Sequence, residues 1–574
     1  MKKHVARALA LMMAIFGMVA SGCNTEHQHN FNQKNEDAKY LRSEATCSEE
    51  AKYYYSCECG EAGEKVFSVG KKLVHDYTDK VMTADYLRKE GNCQTGAEYF
   101  YACKGCGKRS SKTYVSEVMG EHNYTEEVAE GYYLKEEATH TSSAVYYKSC
   151  VCGMAGEETF TYGEPLRTYT DEEKVPYKPT SLTVTLYDLD LGTYGFTYNT
   201  KNEPLRPVIQ VAKGSTLTDY QEYAASVEKT TASGETFYVV KAEVALEKNT
   251  QYTYRAYDKY VDIGTDTVVL QTKDWTADSF TFAHLSDSQD SNGLGTAFGT
   301  VLSSVVESSD FIVHTGDVVE DARLESHWTN MLDGNFQYLS TIPMMTVTGN
   351  HEATYMSGVN EHYEHFHHNI PQQTSKAKGY YYSFTYGNAK FIMLNTNETN
   401  GLPTEQYEWL IGELENNTAA WTIVAMHNPM YSAGRYGSDA DSSYYPVTAG
   451  LQKQLKGVFA EYGVDIVLQG HDHVVSRTYP IDGTGKPMSE TFETVDGVEY
   501  SVDPAGVLYV MSGPAGSQTR SPDAKMNASL YKYATASKAS SWSEFTIEGN
   551  RLTVTMKYGA NGTVYHKWGV VKSA

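Results

Sequence analysis

The sequence predicts a multidomain protein in which an α/β domain follows an all-β domain and three small repeats. The chain has 574 residues, which is enough for several separate cores. In its second half, short apolar runs alternate with helical patterns such as Leu451, Leu455, Val458 and Phe459. Strands that alternate with helices are typical of α/β layer folds, whose functional sites form at the carboxyl ends of strands.

Five apolar runs of this domain lead directly to residues that can bind a metal ion. The runs are 280–285, 311–314, 342–347, 421–426 and 464–468, and the candidate ligands after them are Asp287, Gln289, Asp317, Asn350, His427, His471 and His473. Carboxylates, amides and imidazoles without a thiolate suit Mn, Fe or Zn. Seven ligands are too many for one ion but fit two divalent or trivalent ions that share a carboxylate. Such a pair activates water and binds a phosphoryl group, so the sequence predicts a two-metal centre with unassigned metals.

Five further histidines, His351 and a cluster of four, lie close to these ligands in sequence. His351 directly follows Asn350, so its ring can face whatever the metal ions hold. His362, His365, His367 and His368 are expected to lie on a solvated loop or helix face rather than to bind metal.

The formal net charge of −24 is strongly acidic. A negatively charged protein surface repels the phosphate backbone of nucleic acids, so no nucleic-acid binding is expected.

The first residues have the pattern of an export signal. Lys2, Lys3 and Arg7 precede an apolar run over 8–20 that is too short to span a bilayer comfortably. The run ends in small residues before Cys23, which resembles a bacterial lipoprotein signal over residues 1–22 with a lipidated Cys23. We expect an exported protein, anchored to the bacterial membrane at the cell surface by lipid only. Ordinary secretory cleavage nearby is the alternative.

Residues 23–170 contain three repeats with a period of 46 to 47 residues. Each repeat offers histidine and cysteine at equivalent positions. The sets are His29, Cys47, Cys57 and Cys59; His75, Cys93, Cys103 and Cys106; and His122, His140, Cys150 and Cys152. Because His140 replaces a cysteine, and because three cysteines cannot pair within one repeat, we favour structural zinc in each repeat over disulfides. The expected role is a spacer or adhesive stalk whose cell-surface partner is unknown.

Three further segments complete the predicted organisation. Alternating strand-like runs over 175–273 predict a β-sandwich of immunoglobulin or fibronectin III type that packs on the next domain. The α/β domain is expected over 274–545, and a closing β-hairpin over 546–574 around Gly549.

The order of the ligand motifs resembles that of the calcineurin-like metallophosphoesterase superfamily. The motifs are Asp-x-Gln, Gly-Asp, Gly-Asn-His-Glu, a lone histidine and Gly-His-x-His. Stretches such as 381–388, 405–410 and 427–431 are similar to purple acid phosphatases, which also carry an N-terminal fibronectin-like domain, so the resemblance covers about 180–570. It implies a four-layer α/β sandwich and a dinuclear metal centre.

The resemblance also implies a role for each ligand. Asp317 would bridge the two ions; Asp287, Gln289 and His473 would complete one site, and Asn350, His427 and His471 the other. His351 would be the general acid, and a metal-bridging hydroxide would attack the phosphoryl group in line. Two departures from the pattern stand out: Glu320 occupies the place of the purple acid phosphatase tyrosine ligand, and Gln289 replaces a histidine or glycine.

The sequence therefore predicts an exported two-metal hydrolase of small phosphate esters. A phosphodiesterase or nucleotidase of the same fold is an alternative, because the ligands alone do not separate these substrates. A surface-binding protein with an inactive phosphoesterase domain is the other.

Overall fold

The fold is described from a computed structural model of the chain. It describes residues 28–573, except 92, 94, 120–121, 137, 139–141, 166, 233–234, 354–364, 374–378 and 438–444. The predicted signal peptide, Cys23, His140 and His362 lie outside the described residues. The chain divides into two units, residues 1–122 and 123–574, and each is described by itself.

The first unit contains the first two repeats, each built around a small antiparallel sheet. One sheet has the strand order β1-β2-β3, and the other has the order β4-β6-β5 with β7 paired to β6. In each repeat a tyrosine before the first long strand donates a hydrogen bond to a glycine carbonyl, Tyr40 to Gly60 and Tyr86 to Gly107. The strands are β1 (Leu41–Ser43), β2 (Ala51–Ser56), β3 (Ala62–Val69), β4 (Asp79–Lys80), β5 (Leu87–Lys89), β6 (Glu98–Ala102) and β7 (Arg109–Val115).

The second unit begins with the third repeat. Here the Tyr133 hydroxyl donates a hydrogen bond to the Gly153 carbonyl, which matches the tyrosine–glycine hydrogen bonds of the first two repeats. Its strands β8 (Leu134–Glu136), β9 (Ala144–Ser149) and β10 (Ala155–Tyr162) form one antiparallel sheet. The short helix α1 (Asp171–Lys174) follows. Thr170 caps it reciprocally with Glu173, which fixes the point where the repeats end.

Two antiparallel sheets follow, in the range where the sequence predicts a β-sandwich. Their orders are β11-β12-β16-β15 and β14-β13-β17-β18, with β19 also paired to β17. Phe196 and Tyr254 come from different sheets, and their buried rings lie 5.0 Å apart, so the sheets share a core. The strands are β11 (Thr180–Asp188), β12 (Thr193–Thr200), β13 (Pro207–Lys213), β14 (Gln221–Ala224), β15 (Ser226–Ala232), β16 (Glu235–Ala245), β17 (Gln251–Asp258), β18 (Ile263–Gly264) and β19 (Val268–Gln271).

The remaining strands form two large mixed sheets. The first has eight strands in the order β22-β21-β20-β32-β33-β34-β29-β28, and the second has seven in the order β23-β24-β25-β26-β30-β27-β31. The strands are β20 (Ser279–Leu285), β21 (Phe311–His314), β22 (Met344–Thr346), β23 (Tyr382–Tyr386), β24 (Ala389–Leu394), β25 (Trp421–Met426), β26 (Ile466–Gln469), β27 (Val475–Thr478), β28 (Thr491–Val495), β29 (Val498–Val502), β30 (Leu508–Ser512), β31 (Tyr531–Thr535), β32 (Ser541–Glu548), β33 (Arg551–Tyr558) and β34 (Thr563–Val571).

These two sheets pack face to face between helices. Phe282 of the first sheet meets Phe391 of the second edge to face, at 5.1 Å between ring centroids. Val301 packs on the outer side of the first sheet, and Leu455 packs on the outer side of the second. The result is a helix-sheet-sheet-helix arrangement. The helices are α2 (Thr296–Ser308), α3 (Glu325–Gly334), α4 (Phe336–Leu339), α5 (Asn350–Ala353), α6 (Thr404–Glu415) and α7 (Pro446–Glu461).

The structure contains the predicted hairpin around Gly549, because β32 and β33 pair antiparallel on either side of it, but the hairpin is part of the first sheet rather than a separate segment over 546–574. The boundary falls inside β32, which begins at Ser541 and pairs with β20 in the first sheet. The start of this strand escaped prediction because its buried side chains are polar. Ser543, for example, accepts a hydrogen bond of 2.7 Å from Ser512.

The expectation of a solvated histidine cluster is wrong for His365 and His368, whereas His367 is half-buried. His365 is buried, with its ring stacked on Trp328 at 4.1 Å and its Nε2 3.0 Å from the Glu325 carboxylate. His368 is also buried and stacks on Tyr382. The hydroxyl of Thr183 on β11 donates to the His365 carbonyl, so this segment joins the β-sandwich to the α/β part.

None of the described helices combines the length and the apolar character that crossing a bilayer requires.

Candidate active site

The predicted ligands meet where strands of both large sheets end. Asp287 follows β20 and Asp317 follows β21, which are parallel neighbours. His427 follows β25 and His471 follows β26, which are parallel neighbours in the other sheet. The amide of Asp287 donates to the carbonyl of Gly316 across the first pair, and the amide of Gly470 donates to the His427 carbonyl across the second. The two loop sets therefore face each other at one edge of the sandwich.

Four of these residues have a left-handed backbone, which side chains other than glycine rarely adopt. Their φ angles are 50° at Asp287, 54° at Asp317, 73° at His471 and 52° at His473. Such conformations cost free energy and persist only where the surrounding structure imposes them. Their concentration at the candidate ligands marks this edge as a functional site.

The donor atoms form two groups that share one residue. One group consists of Asp317, His427 and His471, and the other of Asp287, Asp317 and His473. Within each group the donor atoms lie within 4.8 Å of one another. Asp317 is the residue that both groups share, so its carboxylate could serve two ions.

Two amides extend these groups. The Oδ1 atom of Asn350 lies 2.9 Å from Nε2 of His427. Gln289 donates from Nε2 to Asp317 at 3.4 Å, while its Oε1 is buried and has no hydrogen-bond partner among the described residues. A buried acceptor without a donor is costly, and a cation would satisfy it. The donor set therefore fits a pair of metal ions.

Backbone carbonyls fix the orientation of three rings. Nδ1 of His427 lies 2.8 Å from the Thr315 carbonyl, and Nδ1 of His473 lies against the Gln518 carbonyl. His351 has the same contact with the Glu320 carbonyl, at 2.6 Å. Each carbonyl holds the proton on Nδ1, which makes Nε2 the ring atom that can accept a metal or exchange a proton.

The site concentrates negative charge in a buried position. Burial opposes a charged ring at His427, but the carboxylates of Asp317 and Asp287 raise its pKa to about 9. Burial and the neighbouring His427 lower the pKa of His471 to about 3, which keeps that ring neutral. The pocket therefore attracts cations, whether protons or metal ions.

His351 lies beside the shared carboxylate. Its amide donates to Oδ1 of Asp317 at 2.8 Å, and its Nε2 is 3.9 Å from Oδ2. The side chain is 21% exposed, so the ring reaches both the ligands and solvent. Although burial opposes the charged ring, Asp317 and the Glu320 carbonyl raise the pKa of His351. Glu320 itself directs its carboxylate to Gln518, at 2.7 Å.

Glu352 is a functional residue to which sequence reasoning gave no role. Its fully buried carboxylate accepts hydrogen bonds from the amides of Asp317, Val318 and Gly349, at 2.8 to 2.9 Å. It thereby ties the Asp317 loop to the turn before Asn350. A Cβ at Gly349 would lie 2.1 Å from the Asp317 amide, so this close approach requires glycine. Its place inside the Gly-Asn-His-Glu motif was the available signal.

Asp472 and Tyr445 also support the site. Asp472 is buried and accepts hydrogen bonds from the Ser432 hydroxyl and from the amides of Arg435 and Tyr436. The hydroxyl of Tyr445 lies 2.9 Å from Nε2 of His471. Asp472 could have been suspected from its place between His471 and His473. Tyr445 lies 26 residues away in sequence, and no motif marks it.

The cysteines and histidines of the repeats are grouped differently from the within-repeat sets. His29 lies with Cys57 and Cys59, but Cys47 lies with His75, Cys103 and Cys106 of the second repeat. The equal spacing of the repeats does not reveal that a loop of one repeat reaches the next. The remaining candidates are Cys93, half-buried in a bend; His122, exposed; Cys150, buried; and Cys152, half-buried.

Residues 280–475 match the family model for calcineurin-like phosphoesterases. Acid phosphatase type 7 from Homo sapiens is 27% identical over 230 residues, covering 37% of this chain and 49% of that protein. Fe(3+)-Zn(2+) purple acid phosphatase 12 from Arabidopsis thaliana is 25% identical over 218 residues, covering 36% of this chain and 44% of that protein. A solved purple acid phosphatase from yellow lupin (Lupinus luteus) seeds has a TM-score of 0.55 at 17% identity, covering 69% of this chain and 75% of that chain.

These matches confirm the resemblance predicted from the motifs. The chain contains a calcineurin-like phosphoesterase domain, a domain of phosphoric-ester hydrolases, and has purple acid phosphatases among its relatives. The lupin structure shows that the fold is shared. The chain spans less than half the length of the curated relatives that it matches.

Replacing Glu352 with glutamine tests the hydrogen bonds that its carboxylate accepts from the backbone around Asp317. Whichever way the amide turns, its NH2 group faces backbone N–H donors, which leaves buried donors unsatisfied. Burial raises the pKa of Glu352 to about 7, so the lost acceptor matters more near neutral pH than the lost charge. We expect the free energy of unfolding to fall by about 1–3 kcal/mol, which is measured as a lower thermal midpoint of the α/β part. Equal midpoints for Glu352→Gln and for the exposed control Glu408→Gln would contradict this.

Proposed function

We propose that this chain is an exported, dinuclear-metal phosphoric-ester hydrolase. The observation that carries the proposal is Asp317, whose buried carboxylate belongs to two converging groups of donors at the strand ends. A shared ligand can hold two ions close enough together to act on one substrate group. The family of the domain supports the same class of reaction.

The residues present would hold two ions of Fe, Mn or Zn. Asp287, Gln289 and His473 would serve one ion; Asn350, His427 and His471 would serve the other; and Asp317 would serve both. When bound, the ions would supply an activated water and neutralise charge on the phosphoryl group. A relative is named for an Fe(3+)-Zn(2+) pair, and the donor chemistry here accepts several such pairs.

The charge of the pocket explains why the ions would be indispensable. Asp287 and Asp317 are both buried here, and their charges would repel a phosphate ester. Cations must offset them before an anionic substrate can enter. A small phosphate ester is therefore the expected substrate, and chelation is expected to abolish its binding as well as its turnover.

His351 has the geometry of a proton donor. Its Nδ1 is held by the Glu320 carbonyl, so its Nε2 is the atom that can pass a proton to the leaving oxygen. The ring is only partly exposed and lies beside Asp317, which favours its protonated form. Proton transfer to a leaving group contributes about 10²–10⁴ in rate.

Two alternatives remain distinct from this proposal. A phosphodiesterase or nucleotidase would use the same ligands. The sequence predicts that loops 353–374 and 432–445 form the pocket walls, and residues 354–364, 374 and 438–444 of these loops lie outside the described residues. A surface-binding protein with an inactive domain would need a defect among the ligands. All seven ligand positions hold chemically competent residues, which favours the enzyme.

Turnover of model esters tests the hydrolase. The full chain, loaded with Mn²⁺, Zn²⁺ or Fe²⁺, is expected to hydrolyse p-nitrophenyl phosphate or its bis ester, and chelator should remove the activity. His351→Ala should lower kcat by about 10²–10⁴ while metal content is kept. His566→Gln, which changes a histidine of β34 stacked on Tyr533, is the matched control and should retain activity. Bound metal without turnover of these esters or of nucleotides would contradict the hydrolase and favour the binding role.

We also propose that the N-terminus exports the chain and anchors it by lipid on Cys23. The repeats would then act as a spacer or adhesive stalk, and the two-sheet segment as a fibronectin-like domain beneath the enzyme. The basic and apolar pattern before Cys23 supports the anchor.

Substitution of Cys23 tests the anchor in cells. Cys23→Ala should release the protein from the membrane fraction, because no lipid can be attached. Retention of the variant in that fraction would contradict the proposed anchor.

A further inference from the structure

A second cluster of metal-binding side chains lies far along the chain from the phosphoesterase ligands. Cys47, His75, Cys103 and Cys106 bring their donor atoms within 4.8 Å of one another. Three of these residues belong to the second repeat. Cys47 belongs to the first and lies 28 residues before His75.

The contacts inside this cluster are direct. The sulfur atoms of Cys47 and Cys103 are 3.2 Å apart, and both residues are buried. Nδ1 of His75 lies 3.4 Å from the sulfur of Cys106.

The backbone brings Cys47 to this position. The amide of Leu73, two residues before His75, donates to the carbonyl of Thr46 at 2.9 Å. The segment that leaves the first repeat therefore folds back against the loop carrying Cys47. Gly105 leaves room for the thiol, since a Cβ there would lie 3.1 Å from its sulfur.

We propose that a zinc ion bound by Cys47, His75, Cys103 and Cys106 joins the first repeat to the second. Three thiolates and one imidazole form a closed tetrahedral set that is typical of structural zinc. A disulfide would use two of the sulfurs and leave a third thiol and an imidazole beside it. The ion would link Cys47 to His75, 28 residues later in the chain. The folded structure of the first repeat would therefore depend on the second repeat.

The donors of the first repeat explain why we assign Cys47 to the site of the second repeat, and not to a separate zinc site within the first repeat. His29 approaches Cys59 at 3.2 Å and lies with Cys57, which repeats the arrangement of His75 with Cys106 and Cys103. Among the residues that the structure describes, Cys47 is not part of that group. The His29 group therefore brings three donors together, and the Cys47 group brings four.

Alkylation of the zinc-loaded full chain, read by mass spectrometry, tests which residues share an ion. His75→Ala should raise the alkylation rate of Cys47 by about 10- to 100-fold or more, because losing a direct ligand should weaken the site at least as much as losing an outer-shell partner, which costs about 10- to 100-fold in metal affinity. His29→Ala, the equivalent change in the first repeat, should expose Cys57 and Cys59 and leave Cys47 protected. Cys106→Ser is a second variant that should also expose Cys47.

The other outcomes overturn the proposal. Exposure of Cys47 by His29→Ala, and not by His75→Ala, would return Cys47 to the first repeat. A Cys47 that resists alkylation in chelator and reacts only after reduction would identify a disulfide. A Cys47 that reacts equally with and without zinc would show that no ion binds there. None of these readouts depends on the proposed phosphoesterase activity.

Discussion

The carboxylate of Asp317 is the constraint on which the α/β part depends. Its side chain is shared by both donor groups, and its own amide is held by Glu352. The backbone of Asp317 is left-handed, and its carboxylate lies with donors that follow strands of both large sheets. Because the first sheet supplies Asp287 and the second supplies His427 and His471, the site forms only when both sheets are packed. Fold and site are therefore one unit, and damage to this edge should affect both.

Electrostatics and packing act together at this edge. Buried carboxylates without counterions are costly, and here several lie within one pocket. Protonated histidines offset part of that charge when metal is absent, as the raised pKa of His427 indicates. Metal ions would replace those protons, so metal affinity and stability should be linked in the way expected for folded metal sites. The β-sandwich contributes from outside the site by contacts such as Thr183 with the backbone of His365.

Much of this organisation could be predicted because it depends on local sequence. An apolar strand followed by Asp, Asn or His can be recognised in the sequence. This pattern predicted that Asp287, Asp317, His427 and His471 belong to one site. What escaped prediction depends on tertiary contacts. Glu352 acts by accepting amides from another loop, His365 is buried because Trp328 and Glu325 satisfy it, and Cys47 joins the next repeat. The Gly-Asn-His-Glu motif marks Glu352 as a candidate but does not identify the amides that it accepts, and no motif near His365 or Cys47 indicates the partners of those residues.

The measurement that tests the central claim most directly is anomalous diffraction from crystals of the zinc-loaded protein. At the strand ends of the α/β part, two anomalous peaks about 3.5–4 Å apart, with the Asp317 carboxylate between them, are the predicted result. His473 should adjoin one of these peaks and His427 the other. A single peak at this edge, or two peaks there that do not touch Asp317, would contradict the shared-ligand account and with it the proposed reaction.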